Sequence, residues 1–152
     1  MVARLCPSLA AIWCLAGPAP AQTGAEALGA LLMAPPEPVL RLTLIGRETA
    51  LFPGDITAIE ISDSGGITDM FLRFGGEATK TLSILTEAAT GHPMVVQVCG
   101  AVMLETVVQA PVRSGTLYIP NTTAVRAEAV RALWHGRAGC DTMGPEVFTD
   151  GN

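Results

Sequence analysis

Aromatic and basic residues are both scarce in this chain of 152 residues. Phe, Trp and Tyr make up 5% of it, so the core has to be built from Val, Leu, Ile, Ala and Met, which supply most of the 49% hydrophobic fraction. That fraction is enough for one domain. Lys and Arg number 9 against 14 Asp and Glu, and they form no run. Nucleic acids and anionic membrane surfaces attract clustered cations, so we predict neither as a partner.

Residues that commonly carry out catalysis are also few. The two histidines are His92, which precedes a proline, and His135, which ends a predicted helix, where a cation stabilises the dipole. The sequence has no Gly-x-Ser-x-Gly motif, and Gly75-Gly76 lacks the lysine of a phosphate-binding loop. Asp55 and Glu60 are predicted on opposite faces of one strand, so they cannot act together. We therefore predict that the protein is not an enzyme and binds no cofactor or metal ion.

The sequence lacks a hydrophobic run that could span a bilayer, but its N-terminus has the pattern of a secretory signal. Arg4 is basic, residues 5–15 are apolar, and Ala19-Pro20-Ala21 is a small-x-small cleavage site. We predict a signal peptide over residues 1–21, cleavage after Ala21, and a periplasmic or secreted mature protein without a membrane span. The alternative is an uncleaved anchor, which the short apolar run disfavours.

Cleavage would remove two of the four cysteines and leave Cys99 and Cys140. An even pair in an oxidising compartment predicts a disulfide bond. In the chain-entropy model such a bond stabilises the fold by about 4 kcal/mol. The alternative is a metal site in which His135 joins the two cysteines, although this set lacks the local ligand spacing that is typical of zinc sites.

Prolines and glycines divide the rest of the chain. Residues 22–38 are rich in Ala and Pro and predict a tether, because the prolines stop any helix. Residues 39–140 predict a single folded domain. Residues 141–152 predict a flexible, glycine-rich tail.

Within the domain, alternating or continuous apolar residues predict six strands and two helices. The strands are at 39–45, 55–62, 67–74, 94–98, 101–108 and 116–119, and strict alternation would put Ile56 and Ile59 on opposite faces of the second. Glu77 begins the first helix, and the second runs to about Arg137, with an inward face formed by Val125, Ala129, Val130, Leu133 and Trp134. This order predicts an α+β fold, in which two main helices pack on one face of a mostly antiparallel sheet.

The segment from Phe71 to Ile119 carries an ordered set of motifs. It contains Phe71-x-x-Phe74, Leu85-Thr86, Gly91-x-Pro93, a turn at Gly100, Pro111-Val112 and Ser114-Gly115. Their order and spacing resemble the head subdomain of the first periplasmic loop (P1) of SecD/SecDF, an auxiliary part of the Sec translocon. The resemblance covers about residues 55–137. It assigns structural roles to Phe74, Thr86, Gly91, Pro93, Gly100, Pro111 and Gly115.

The resemblance implies a role in protein transport. The family's head domain is thought to contact exported polypeptides, so the expected partner is a protein or peptide, either an exported chain or a Sec component. This sequence departs from the family in two respects. It contains none of the membrane helices that couple the family to the proton gradient, and Cys99-Gly100 replaces the usual Asp-Gly at a hairpin tip. Cys is a poor residue for positive φ, which favours a disulfide there.

Two hypotheses follow from the sequence. The first is a non-enzymatic binding module that meets extended chains along a sheet edge or in an apolar groove. The second is a periplasmic protein that keeps this fold but binds an unrelated ligand or partner. The sequence assigns no binding residues to either.

Overall fold

The computed structural model describes residues 36–149, so the predicted signal peptide and most of the predicted tether lie outside the described residues. The elements in chain order are β1 (Leu40–Leu44), β2 (Arg47–Leu51), β3 (Ile56–Ser64), β4 (Ile67–Phe74), α1 (Gly76–Ala88), β5 (Pro93–Val98), β6 (Ala101–Val107), β7 (Thr116–Thr122) and α2 (Ala124–Trp134). Single turns of 3-10 helix lie at Pro53–Asp55 and Pro145–Val147. No helix within residues 36–149 combines the length and the apolar character needed to cross a membrane.

The predicted α+β class, with antiparallel strands and two main helices, is confirmed. The strands are divided between two sheets, one with the order β2-β1-β5-β6 and the other with the order β3-β4-β7. Cα atoms of β6 and β7 approach within 8 Å. No hydrogen-bonded ladder joins these two strands in the described part of the chain. The sheet predicted from the sequence is therefore interrupted between β6 and β7.

Each of the three hairpins in the described residues, β1–β2, β3–β4 and β5–β6, has a two-residue turn. Both turn residues have positive φ in each case: 49° and 70° for Ile45-Gly46, 62° and 85° for Gly65-Gly66, and 49° and 81° for Cys99-Gly100. This conformation matches the twist of the flanking strands, so it fixes their register. β2 was not predicted from the sequence. Its first two residues, Arg47 and Glu48, are both charged and exposed, so the strand does not show a regular alternation of apolar and polar residues.

A bulge interrupts the alternation of β3. The register with β4 shifts between Ile56 and Ala58, which places an additional residue in β3. As a result Ile56 and Ile59 are both buried, at 4% and 7% exposure. The prediction that they lie on opposite faces was wrong. Asp55 lies in the 3-10 turn before β3, so the prediction that places it on one strand with Glu60 was also wrong. The two side chains have separate partners, the backbone N–H of Phe52 and the Arg73 side chain.

The last helix packs on β3 and β4 through a face that differs in part from the predicted one. Ala129, Val130 and Leu133 are buried as predicted, and the indole Nε1 of Trp134 donates to the Ile56 carbonyl at 3.1 Å. Val125 is 69% exposed, so its predicted inward position was wrong. The helix is capped by Thr123, whose side chain accepts from the Arg126 N–H, and it ends at Trp134 rather than Arg137.

The chain after Cys140 is packed against the domain over its described part. Phe148 is completely buried, and Met143 and Val147 contact the core. The prediction of a flexible tail therefore does not fit residues 141–149. Burial of these three apolar side chains stabilises the segment, and a 3-10 turn at Pro145–Val147 lies within it. This stabilisation exceeds the flexibility that the glycines indicated.

Candidate functional site

The predicted disulfide between Cys99 and Cys140 is present, with the two Cα atoms 5.2 Å apart. It joins the tip of the β5–β6 hairpin to the chain beyond α2. The Cys140 N–H also donates to the Glu37 carboxylate at 3.2 Å, so the chain before β1 is held at the same place. The two sulfurs are bonded to each other and cannot serve as thiolate ligands, and the His135 ring lies instead against Trp134, with centroids 4.4 Å apart.

The motif residues of the predicted family resemblance hold the loop between β6 and β7. Thr86 is fully buried in α1, and its Oγ1 accepts from the Val112 N–H at 2.8 Å while it donates to the Leu82 carbonyl. The N–H of Gly91 donates to the Val108 carbonyl at 2.8 Å. Both bonds fix the backbone of the loop, which contains Pro111.

The other motif residues hold the ends of this region. The N–H of Phe74 donates to the Gly115 carbonyl at 2.8 Å, which ties the end of β4 to the start of β7. Gly115 has φ of 66°, and a Cβ there would lie 2.2 Å from the Thr79 Oγ1, so a side chain does not fit. Pro93 begins β5 and Gly100 completes its hairpin turn. Three of the motif residues therefore hold backbone beside the interruption between the sheets, namely Thr86, Gly91 and Gly115. Gly100 lies at the far tip of the β5–β6 hairpin.

A groove of about 260 Å³ lies at this interruption. Its lining is mainly apolar and comes from β6, β7, the loop between them and the start of β5. The lining residues are Met94, Leu104, Thr106, Val107, Val108, Gln109, Ala110, Val112, Thr116, Leu117 and Tyr118. None of these side chains is charged, so the groove suits apolar groups rather than ions.

Backbone groups of β6 face this groove without a ladder partner. Val107 lies opposite Pro93, which has no N–H, so this is a pair that exchanges no hydrogen bonds. Hydrogen-bonded and non-bonded pairs alternate along an antiparallel ladder, and the next residue, Val108, does donate its N–H to the His92 carbonyl. Two positions earlier, Glu105 opposite Val95 is again a non-bonded pair. The N–H and C=O groups of Glu105 and Val107 therefore point away from β5, toward the unpaired side.

Among the four edge strands of the described sheets, β6 has little protection against pairing with another chain along residues 104–107. Charged residues, bulges and proline are the usual protections of an edge. β2 carries Arg47 and Glu48, β3 contains its bulge, and β7 contains Pro120. β6 also contains a bulge, at Met103, but residues 104–107 beyond it pair regularly with β5 and include one charged residue, and Val102 and Val107 are exposed at 50% and 45%. The edge position of β6 was not predicted from the sequence, in which the low charge of this strand is the available signal.

An aromatic pair stands on β4 and β7 beside the groove. The rings of Phe71 and Tyr118 are stacked, with centroids 4.8 Å apart. Desolvation, and then the Asp69 carboxylate that accepts its hydrogen bond, raise the pKa of Tyr118 above its usual value of 10.0. Asp69 also accepts from the Asn121 N–H at 3.1 Å. These contacts fix an uncharged phenol at the rim of the groove.

Comparison with known proteins shows a likeness of fold. No family model and no curated protein matches the sequence. A solved structure of SecDF, described as a membrane component that enhances protein export, superposes with a TM-score of 0.53 at 16% identity, over 82% of this chain and 73% of that chain. SecDF in a super-membrane-facing form gives a TM-score of 0.49 at 19% identity, over 60% of this chain and 13% of the other. The first likeness confirms the fold resemblance that the motifs predict.

Proposed function

We propose that this protein is a non-enzymatic, extracytoplasmic binding module that takes up extended polypeptide segments along the edge of β6. The observation that carries the proposal is the unpaired β6 edge beside an apolar groove. An extended peptide can satisfy such an edge with its own backbone, while its alternate side chains enter a pocket. The proposed partners are exported polypeptides before they fold, or Sec components.

Two further features support this proposal. The disulfide between Cys99 and Cys140 is a bond that persists in oxidising compartments, which agrees with the predicted signal peptide and a periplasmic location. The fold is similar to that of a protein described as enhancing protein export. A module with this fold would meet chains as they emerge from a translocation channel, when their backbones are still extended.

The proposed binding uses backbone groups for affinity and the groove for selectivity. Glu105 and Val107 each offer an N–H and a C=O to an added strand, and each bond made contributes about 0.5–1.5 kcal/mol net. Apolar side chains of the added strand would contact Leu104, Leu117 and Val112 in the groove. Because backbone groups are common to all sequences, the module would accept many apolar segments.

A proline at position 107 tests the proposal. Val107→Pro removes the outward N–H without removing a bond to β5, since the Val107–Pro93 pair exchanges none. We expect about ten-fold weaker binding of a fluorescently labelled, reduced and carboxymethylated α-lactalbumin, which stays unfolded, because one bond is lost and the ring obstructs the added strand. Fluorescence anisotropy with protein purified from the oxidising periplasm measures this.

Asp63→Pro is the matched control. Ser64 and Ile67 close the Gly65-Gly66 turn, so Asp63 lies in a non-bonded pair and its N–H faces away from β4 on the edge of β3. This variant should bind the unfolded chain like the wild type. Equal binding by Val107→Pro and the wild type would refute the β6 edge as the site. If the wild type does not bind the unfolded chain, polypeptide binding is refuted. The second hypothesis, a protein that keeps this fold but binds an unrelated ligand or partner, would then remain.

A further inference from the structure

Glu105 is the one charged residue of β6, and it stands on the edge where we propose that a strand is added. Its side chain is exposed and forms no ion pair with any residue of the range 36–149. Five of the seven other exposed glutamates within residues 36–149 pair with a neighbouring cation. They are Glu48, Glu60, Glu77, Glu87 and Glu128.

The surroundings of the edge contain no described cation that could pair with Glu105. The groove lining has no Lys or Arg. Two basic residues on elements beside the groove are already paired: Arg73 of β4 with Glu60 at 3.1 Å, and Arg113 of the loop between β6 and β7 with Glu87 at 3.9 Å. Across the groove, the charged group beside Tyr118 is the carboxylate of Asp69. Glu105 therefore contributes an unpaired negative charge to the edge, beside a groove whose lining is uncharged.

We infer that Glu105 makes the β6 edge select extended segments that carry a Lys or Arg among their apolar residues. This selection rests on the proposed strand addition. In an antiparallel added strand, the residue directly across from Glu105 would have its Cβ about 5 Å from that of Glu105. Opposite charges at this separation favour pairing, and like charges oppose it. The apolar neighbours of the basic residue would lie against the groove.

A different role for Glu105 would be protection alone, because a single charge on an edge strand also prevents association between copies of a protein. The two roles predict different behaviour. A protective charge opposes every added strand, whatever its sequence. A selecting charge distinguishes a strand with a cation from a strand with an anion, and its reversal inverts the preference.

Two capped peptides of alternating Val and Thr, identical except for Lys or Glu at the centre, test the inference. Acetylated and amidated ends remove the terminal charges. For the wild type we expect the Lys peptide to bind about five-fold more tightly than the Glu peptide, as measured by fluorescence anisotropy at low salt. Glu105→Lys should reverse the preference, Glu105→Gln should abolish it, and 1 M NaCl should reduce it toward unity.

The outcomes separate this inference from the proposed function. If both peptides bind equally to the wild type and Val107→Pro weakens both, strand addition stands and charge selection is refuted. If Glu105→Lys changes the affinity for both peptides by the same factor, or Glu105→Gln only promotes self-association, Glu105 is protective and the inference fails. If neither peptide binds, strand addition and charge selection are both refuted.

Discussion

Cys99 adopts a backbone conformation that is unfavourable for its residue type. Its φ of 49° lies in the left-handed region, where an ordinary residue is disfavoured by about 1–2 kcal/mol relative to its usual conformations. The bond to Cys140 gives a reason for a cysteine there, because closing a loop of 41 residues stabilises the fold by about 4 kcal/mol in the chain-entropy model. The covalent bond therefore outweighs the cost of the turn.

Variants without the disulfide should separate the stabilisation by the Cys99–Cys140 bond from the conformational cost of positive φ at residue 99. We expect Cys99→Ala with Cys140→Ala to lower the free energy of unfolding by about 4 kcal/mol. Cys99→Asn with Cys140→Ala should recover about 1 kcal/mol of that loss, because Asn tolerates the left-handed conformation. Urea unfolding curves measure both values. Equal stability of the two double variants would show that the turn imposes no conformational cost.

Tyr118 is the single tyrosine of the chain, so its ionisation can be followed alone. Desolvation and the Asp69 carboxylate raise its pKa above 10.0, and we expect Asp69→Asn to lower that pKa toward 10.0. Because the folded-state pKa is the higher one, this contribution to stability is complete below about pH 10 and is lost as the pH rises through the raised pKa. Tyrosinate absorbance near 295 nm gives the midpoint, and identical midpoints for both proteins would contradict the assignment.

Phe148 is the fully buried side chain of the segment that follows α2. We expect Phe148→Ala to lower the free energy of unfolding by about 3–5 kcal/mol through lost burial and a residual cavity. Val125→Ala is the control, since Val125 is 69% exposed and its truncation should change stability by less than about 0.5 kcal/mol. Thermal or urea unfolding of both variants measures the difference. A loss below about 1 kcal/mol for Phe148→Ala would contradict this account.

Most strands and both helices could be predicted from the sequence because local signals mark their ends. Two hairpin turns are indicated by their glycines, at Gly65-Gly66 and Cys99-Gly100, and Gly75 is the N-cap of α1. The bulge in β3 could not be predicted in this way. An additional residue in a strand has no local marker, and only the pairing with β4 shows which side chains turn inward.

The proposed binding surface depends on tertiary placement, which the sequence pattern does not encode. Whether the edge of β6 is free is decided by β7, which pairs with β4 and leaves β6 unpaired. The family-like motif, to which only structural roles were assigned, includes Thr86, Gly91 and Gly115, whose hydrogen bonds fix the loop that separates the two strands. It did not predict which backbone groups would be unpaired.

Across the whole domain, the two sheets share one core without sharing a ladder. Leu40 and Leu42 of the first sheet and Met70, Leu72 and Ile119 of the second are among the fully buried residues of a single cluster. The interruption between β6 and β7 is therefore a local opening at the surface of a continuous core.

The bond between Cys99 and Cys140 also determines how the domain responds to mechanical force. If the chain is pulled from the segment before β1 and from the segment after Cys140, covalent tension passes from Cys99 directly to Cys140. β6, β7 and α2 lie inside the closed loop and are bypassed, and about 150 Å of contour length stays unavailable for extension. The edge that we propose for polypeptide binding is thus carried on the part of the chain that bears no covalent load.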